Sequence, residues 1–536
     1  SDPGHGLLPG YELAWAVRVG GIDPDFVGSA VGDQVRTVAF APDGDVFIAG
    51  VLEELEVVFG EGTENETTTN TFENGGTYIA RYTPDGQPIW VSFVRPDSWV
   101  ISELSALDDG GAVVSGGLGS FGENNPVVLG AGEPNETVLI PEQCDGCPFL
   151  AKYEADGVFS WVSYGKNEGC FLDMARTATG DYCVVGEYWG EWIEFHGGEG
   201  DPVVLMNAED PAMNGFAVRF DADGTPLWAR QVRGMGDNLG AFGGVAALED
   251  GSCAFMVRYD EQGCLLDVGE GEQQLLEADA GWGALVAWYD AEGTLTRSVD
   301  LAIAGSGHGQ YNVEHESLRA IPGGLVAAGS FSGEIRAGAP ESSHLVSAGP
   351  SEDDQGFYVT RLRQHDGAWQ WTRTVTGVSA ATSGKVLHTE FPWDIDQLPG
   401  GDVLVAGGIA GRKVFGAGEQ NETVIETFNW SSEGPYGTKL DGYLAAFAPD
   451  DGALRWVRTL AYCPQSNAPA NYTEYGELLM NIDVNDEGSI LASGDFMGVA
   501  RFGVDLFDWQ DLNAYNLGNV DGFLIRLDPV PIIPSE

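Results

Sequence analysis

Short apolar runs punctuated by turn residues fill this chain from end to end. Residues 35–50, "VRTVAFAPDGDVFIAG", are two runs rich in Val, Phe and Ile joined by Pro-Asp-Gly. After a Gly-rich stretch, residues 77–94, "TYIARYTPDGQPIWVSFV", repeat the arrangement. β-Branched and aromatic runs broken by Asp-Gly predict tight β-hairpins, so residues 35–94 predict one four-stranded antiparallel unit. The opening hairpin returns as "LSALDDGGAVVSGG" (104–117), "MARTATGDYCVVGE" (174–187), "GVAALEDGSCAFMV" (244–257), "LRAIPGGLVAAGS" (318–330), "DIDQLPGGDVLVAGG" (394–408) and "NIDVNDEGSILASGD" (481–495). The closing hairpin returns at 149–164, 216–232, 285–299, 358–375 and 443–460. A seventh closing half, "FLIRLDPVPIIPSE", stops before its last strand, and an orphan strand of that type, "GYELAWAVRVG", stands at 10–20.

A single four-stranded sheet leaves both faces bare, so repeated sheets must stack, and radial stacking closes them into a propeller. The expectation is all-β: a seven-bladed β-propeller of four-stranded antiparallel blades over residues 10–528. Blades open near 35, 101, 171, 239, 316, 391 and 479, and strand 11–20 completes the last blade from outside. Tails 1–9 and 529–536 lie beyond the repeats.

Two residue types recur at fixed places. Trp90, Trp161, Trp228, Trp371 and Trp456 stand four residues after the second turn Gly, with Trp15 in the orphan strand; such regularity marks blade-packing residues. The fourth blade has Arg297 there, which predicts a weaker outer edge. Arg81, Lys152, Arg219, Arg361 and Arg526 recur in third strands and predict a repeated ion pair or backbone contact.

The link between second and third strands carries "FGEGTENETT" (59–68), "LGAGEPNETV" (129–138) and "FGAGEQNETV" (415–424), with a worn copy "VGEGEQQLLE" at 268–277. Asn65, Asn135 and Asn421 are formal glycosylation acceptors, as are Asn429 and Asn471. Because the worn copy keeps the glycines and loses Asn-Glu-Thr, the shared element is a bend that uses glycine's positive φ. On that reading the acceptor sequence is incidental.

Composition adds constraints. The 536 residues carry 82 acidic and 25 basic side chains, a formal charge of −57 that repels phosphate backbones and anionic membranes and excludes nucleic acid as a partner. Cations fit better, and isolated Ca²⁺ ligation at Asp441 and Asp521 is the candidate metal chemistry. "DVNDEG" (483–488) opens like a Ca²⁺ loop but lacks the Glu expected at its twelfth position. No apolar run reaches the length of a membrane span, so no membrane insertion is expected. Of seven Cys, Cys144 and Cys147 predict a tight disulfide, with Cys170 as the other partner. The first residues, "SDPGHG", predict a mature chain from which a targeting segment has been removed, and an extracellular or cell-surface location.

The pattern "DGDVFIAG", "FGAGEQNET" and "DGYLAAFAPDDGALRW" resembles the bacterial secreted β-propeller repeat proteins of the SBBP type over about residues 10–530. The resemblance implies this fold and export, and no catalytic motif. An enzyme would need converging groups near the axis, for which Asp394, Asp396, Glu314, His315, Glu316 and His388 are the candidates, without any spacing that defines a reaction. The expected function is therefore non-catalytic: a structural, assembly or surface-adhesion subunit that meets other copies of itself or matrix components, joined through its tails. The alternatives are a glycan- or Ca²⁺-binding module on the long-loop face and a lyase or hydrolase with paired carboxylates in an axial pocket.

Overall fold

In a computed structural model the chain is all β-strand, and the predicted hairpins pair as the repeats require. The structure describes residues 10–530 except 22–32, 54–55, 71–75, 95–97, 120–125, 141–145, 207–213, 235–240, 260–262, 270–271, 277–282, 305–315, 338–343, 350–354, 378–389, 427–439, 463–477, 498, 504–508 and 514–519. The tails 1–9 and 531–536, Cys144, Glu314, His315, His388, Asn429 and Asn471 therefore lie outside the described residues, as do most of the long loops.

Seven blades each hold four antiparallel strands, numbered here from the axis outward. Blade 1 is Gln34–Phe40, Val46–Leu52, Gly76–Tyr82 and Pro88–Val94; blade 2 is Ser98–Ala106, Ala112–Leu118, Cys147–Tyr153 and Phe159–Lys166. Blade 3 is Gly169–Arg176, Tyr182–Tyr188, Asn214–Phe220 and Pro226–Gly234; blade 4 is Ala241–Ala247, Cys253–Tyr259, Gly283–Tyr289 and Leu295–Ala304. Blade 5 is Glu316–Ile321, Gly324–Ser332, Gln355–Arg363 and Trp369–Gly377; blade 6 is Glu390–Gln397, Val403–Ile409, Asp441–Phe447 and Leu454–Thr459. Blade 7 is Leu478–Val484, Ile490–Met497, Val520–Pro529 and, from the other end of the chain, Tyr11–Gly21. Tyr11 pairs with Pro529, and the Val530 amide donates to the Gly10 carbonyl at 2.7 Å, so 529–530 belong to the closing blade rather than to a tail.

The links are more than bends. In blade 6 the link forms the hairpin Arg412–Phe415/Thr423–Glu426, which pairs with the outer strand of blade 5. Links of blades 3, 4 and 5 extend blades 2, 3 and 4 in the same way, and Glu56–Phe59/Thr67–Asn70 extends blade 7. An outer strand left bare would present unpaired N–H and C=O groups, and the neighbouring link satisfies them.

This geometry gives Asn-Glu-Thr a part in the bend itself. In the three full copies the first two glycines take positive φ: Gly60 and Gly62, Gly130 and Gly132, Gly416 and Gly418. The Glu carboxylate then accepts the second glycine's amide: Glu66 from Gly62 at 2.7 Å, Glu136 from Gly132 at 2.6 Å, Glu422 from Gly418 at 2.7 Å. Thr67, Thr137 and Thr423 donate their hydroxyls to the Asn65, Asn135 and Asn421 carbonyls. All three asparagines are exposed, and the Asn421 amide group donates to the Leu454 carbonyl at 3.0 Å.

Between blades the core is continuous, since each hydrophobic cluster mixes residues of adjacent blades, as with Phe47, Ile79, Val114 and Phe149 across blades 1 and 2. Trp and the recurring basic residue sit opposite each other on strands three and four, as Arg81 beside Trp90 and Arg361 beside Trp371. Together they grip the outer turn of the following blade. Trp90 Nε1 and Arg81 Nη1 both donate to the Ala155 carbonyl, at 3.1 and 2.9 Å. Trp15 and Arg526 do the same to Pro84, Trp371 and Arg361 to Pro449, while Trp228 reaches Ala291. Each indole lies flat on that turn's glycine: a Cβ on Gly157 would come within 2.7 Å of Trp90, and one on Gly452 within 2.5 Å of Trp371. Trp161 meets Gly224 in the same manner. Trp456 packs against the same hydrophobic cluster as Tyr11 and Leu13, between blades 6 and 7.

Blade 4 departs by exchange rather than loss. Its strand-three position holds Trp288 and its strand-four position Arg297, paired across the ladder with the guanidinium 5.3 Å from the ring. Arg297 Nη1 still donates to the His365 carbonyl of blade 5, so the grip on the next blade survives.

Candidate functional site

The innermost strand of each blade has one edge that no further strand covers. Six of the seven carry a bulge at the same level, between Val35 and Thr37, Ile101 and Glu103, Phe171 and Asp173, Phe242 and Val245, Pro392 and Asp394, and Leu479 and Asn481. Around the axis these strands enclose a cavity of about 800 Å³. The bulged residues Arg36, Ser102, Leu172, Gly243, Trp393 and Met480 line it toward the face where inner strands begin, and Glu187 and Arg258, late in their second strands, line it at the same end.

Two of the sequence candidates, Asp394 and Asp396, belong to this region, but their oxygens are engaged. Asp394 Oδ2 accepts the Ile482 amide and the Asn481 side chain, both at 2.9 Å, and Oδ1 accepts Ile395. Asp396 accepts the Val484 and Gln397 amides at 2.7 and 2.8 Å. Asp173 takes Val245 and Met174, and Asp483 takes Phe40. Asn481 completes the series by accepting Val38. These side chains staple one inner strand to the next, supplying acceptors for edge amides that the sheets leave unpaired.

Sequence reading missed Glu103, Asp173, Asp483 and Arg319 as axial residues, although each falls at a repeat-equivalent inner-strand position where other blades carry Thr, Asn, Ala, Ser or Gly. Arg319 Nη2 stands 3.6 Å from Asp396 and 3.7 Å from Asp483. Burial first, then the Asp173 charge, pushes Glu103 up to about 8. Burial, reinforced by Asp394 and opposed by two backbone amides and Arg319, pushes Asp173 up to about 7. Arg319 is held more firmly protonated than usual, chiefly by Asp396.

The two candidate metal residues, Asp441 and Asp521, lie elsewhere. Asp521 is buried and takes Arg18 Nε at 2.7 Å, so a guanidinium occupies the place a cation would fill; Asp441 is buried at the start of its strand. Among the described residues no group of three or more His, Cys, Asp or Glu is placed to hold a metal ion. Cys147 is disulfide-bonded, whereas Cys170 is free, which removes Cys170 as its partner. A bond not foreseen joins Cys183 to Cys253, in the second strands of blades 3 and 4.

No family model matches the chain, and no curated protein matches it. Solved structures with similar folds include the WD40 domain of Neurospora crassa Pan2, at 9% identity and TM-score 0.37, covering 99% of this chain and 100% of that one. The quinohemoprotein alcohol dehydrogenase of Comamonas testosteroni has 10% identity and TM-score 0.38, covering 98% of this chain and 78% of that one. The NanB sialidase of Streptococcus pneumoniae has 10% identity and TM-score 0.34, covering 95% and 70%. The strand pairing described above defines this chain as a seven-bladed β-propeller.

Proposed function

We propose that this chain is a non-catalytic, extracellular propeller of the bacterial secreted type that serves as a structural, assembly or surface-adhesion subunit and self-associates through its terminal segments. The observation that carries the non-catalytic reading is the engagement of the axial carboxylates. A hydrolase or lyase needs paired carboxylates in an axial pocket free to meet substrate, and here Asp173, Asp394 and Asp396 each spend both oxygens on inner-strand amides. Support for an oxidising location comes from the Cys183–Cys253 bond and from Cys147, since such bonds persist mainly outside the cytosol. The acidic surface suits a salty exterior in which counter-ions screen self-repulsion.

Assembly is tested by removing residues 1–9 and 531–536, which leaves the closing ladder of Tyr11 with Pro529 intact. Light scattering and electron micrographs of the intact chain should show particles larger than one propeller, and the trimmed chain should revert to single rings. Identical particle size for both chains counts against the reading.

A further inference from the structure

The mouth of the axial cavity carries side chains that neither blade packing nor the stapling acids explain. Positions that hold the ring recur from blade to blade, because each blade solves the same packing problem, as Trp90 with Arg81 and Trp371 with Arg361 show. The bulges recur as well, and a bulge re-aims a side chain. What they aim at the axis differs in every blade: Arg36, Ser102, Leu172, Gly243, Trp393 and Met480, all half-buried. A position that merely faced solvent would take any polar residue, and this chain carries 82 acidic residues in 536. The six instead include no acid, one base and three large apolar side chains, facing a cavity of about 800 Å³. Small-molecule sites commonly occupy about 300–1,000 Å³.

Arg36 is held in place from behind. Its Nε donates to Gln34 Oε1 at 2.6 Å, and Gln34 Nε2 in turn donates to Asp495 Oδ2 at 2.8 Å, with Gln34 and Asp495 both buried. Around the ring, Met480 and Ser102 stand in the blades on either side of Arg36, and Trp393 and Leu172 in the blades beyond those. Arg258 lines the same end from blade 4, on the far side, within electrostatic reach of Glu187 in blade 3.

We infer that this mouth binds a small organic carboxylate with a ring-shaped body, its carboxylate on the Arg36 guanidinium and its ring against Trp393. A guanidinium presents paired N–H donors whose fork matches a carboxylate. Trp393 supplies a flat face, Met480 and Leu172 apolar flanks, Ser102 a hydroxyl, and Arg258 a second positive charge across the opening. Against a formal charge of −57, two guanidiniums facing one carboxyl group, Glu187, among the described residues of this mouth reverse the chain's average. The acids deeper in the cavity oppose an anion weakly, because burial holds Glu103 protonated up to about 8 and Asp173 up to about 7. The inference is independent of assembly through the tails and of the non-catalytic reading, because the mouth lies within a single ring and binding there asks for no reaction.

The test is calorimetric titration of the full chain with phenylacetate, glucuronate and benzyl alcohol, at about pH 6 so that Glu103 and Asp173 keep their protons, and in about 150 mM NaCl to screen the acidic exterior. At least one of the two acids is expected to bind saturably at one site per chain, and the comparison between them tells whether an aromatic acid or a sugar acid is the better source. Benzyl alcohol, a ring without the charge, should bind at least about 10-fold more weakly than the better acid. Arg36→Gln should weaken that acid about 10-fold or more, the loss of a charge-assisted hydrogen bond, and Trp393→Leu should weaken it as well. Arg455→Gln removes a charge from the outer strand of blade 6, away from the axis, and should bind as the parent chain does. Should Arg36→Gln fail to fold, Arg258→Gln has to weaken binding in its place. Absence of a saturable site for both acids, equal affinity in Arg36→Gln, or benzyl alcohol binding as tightly as the better acid overturns the inference.

Discussion

Removing the Arg18 guanidinium should open the ring at its seam. Arg18 sits in the strand that the N-terminal segment lends to blade 7, and its side chain is 2% exposed. Nε meets Asp521, itself 0% exposed, at 2.7 Å; Nη1 meets Glu61 of blade 1's link at 2.8 Å; Nη2 donates to the Gly21 carbonyl. One side chain thus ties the first strand to the last and to the hairpin that covers them both. Arg18→Met leaves the Asp521 carboxylate buried without its counter-charge, which costs about 3–5 kcal/mol. Unfolding entropy of about 2.1 cal/mol/K per residue amounts to roughly 1.1 kcal/mol/K for the whole chain, so Tm should fall by about 3–4 °C if the ring melts as a unit. Asp521→Asn should cost less, because Arg18 keeps Glu61 and Gly21. The double variant should recover part of the loss, since no unpaired charge remains buried. Differential scanning calorimetry of the four proteins at one scan rate reads this cycle. A single variant Arg18→Met within 1 °C of the parent, or a double variant whose loss is the sum of the singles, would refute the reasoning.

Three further outcomes follow from the same geometry. Glu103 and Asp173 hold protons in the folded chain well above the range near 4 where the unfolded chain releases them, so their contribution to stability is fully present below that range. It is lost as pH rises toward about 8, and Tm at constant ionic strength should decline from pH 5 to pH 8 and flatten beyond. Trp371→Phe removes the Nε1 bond to Pro449 while keeping most of the ring's packing; denaturant titration should register a loss of about 1 kcal/mol, against about 3–5 kcal/mol for Trp371→Ala. Cys183→Ser with Cys253→Ser opens a loop whose ends are 70 residues apart, which lowers stability by up to about 4 kcal/mol, readable as a Tm shift under oxidising conditions that disappears when parent and variant are compared in reducing agent.

The repeat itself carried the fold. Alternation of β-branched and aromatic runs with Asp-Gly turns, repeated seven times with one strand missing at the end and one spare at the start, leaves a closed ring as the arrangement that buries every sheet face. Trp90 and its counterparts were legible as packing residues because recurrence at a fixed offset marks shared structure. Much of what holds the ring was not legible, because it joins residues far apart in the chain. The partner of Arg18 is Asp521, and the acceptor for the Val38 amide is Asn481; no local pattern announces either contact. The links illustrate the same limit. Their glycines foretold a bend, but a hairpin's pairing with the strand of another blade depends on an edge that exists only once the blades stand side by side. The Glu of Asn-Glu-Thr read as part of an acceptor sequence until the positive-φ glycines turned an amide toward it. Likewise Asp394 and Asp396 were visible as acids near the axis, yet their occupation by backbone amides was decided by where seven inner strands converge. Sequence determines which strands form and which faces seek cover; the closure of the ring determines which buried charges meet.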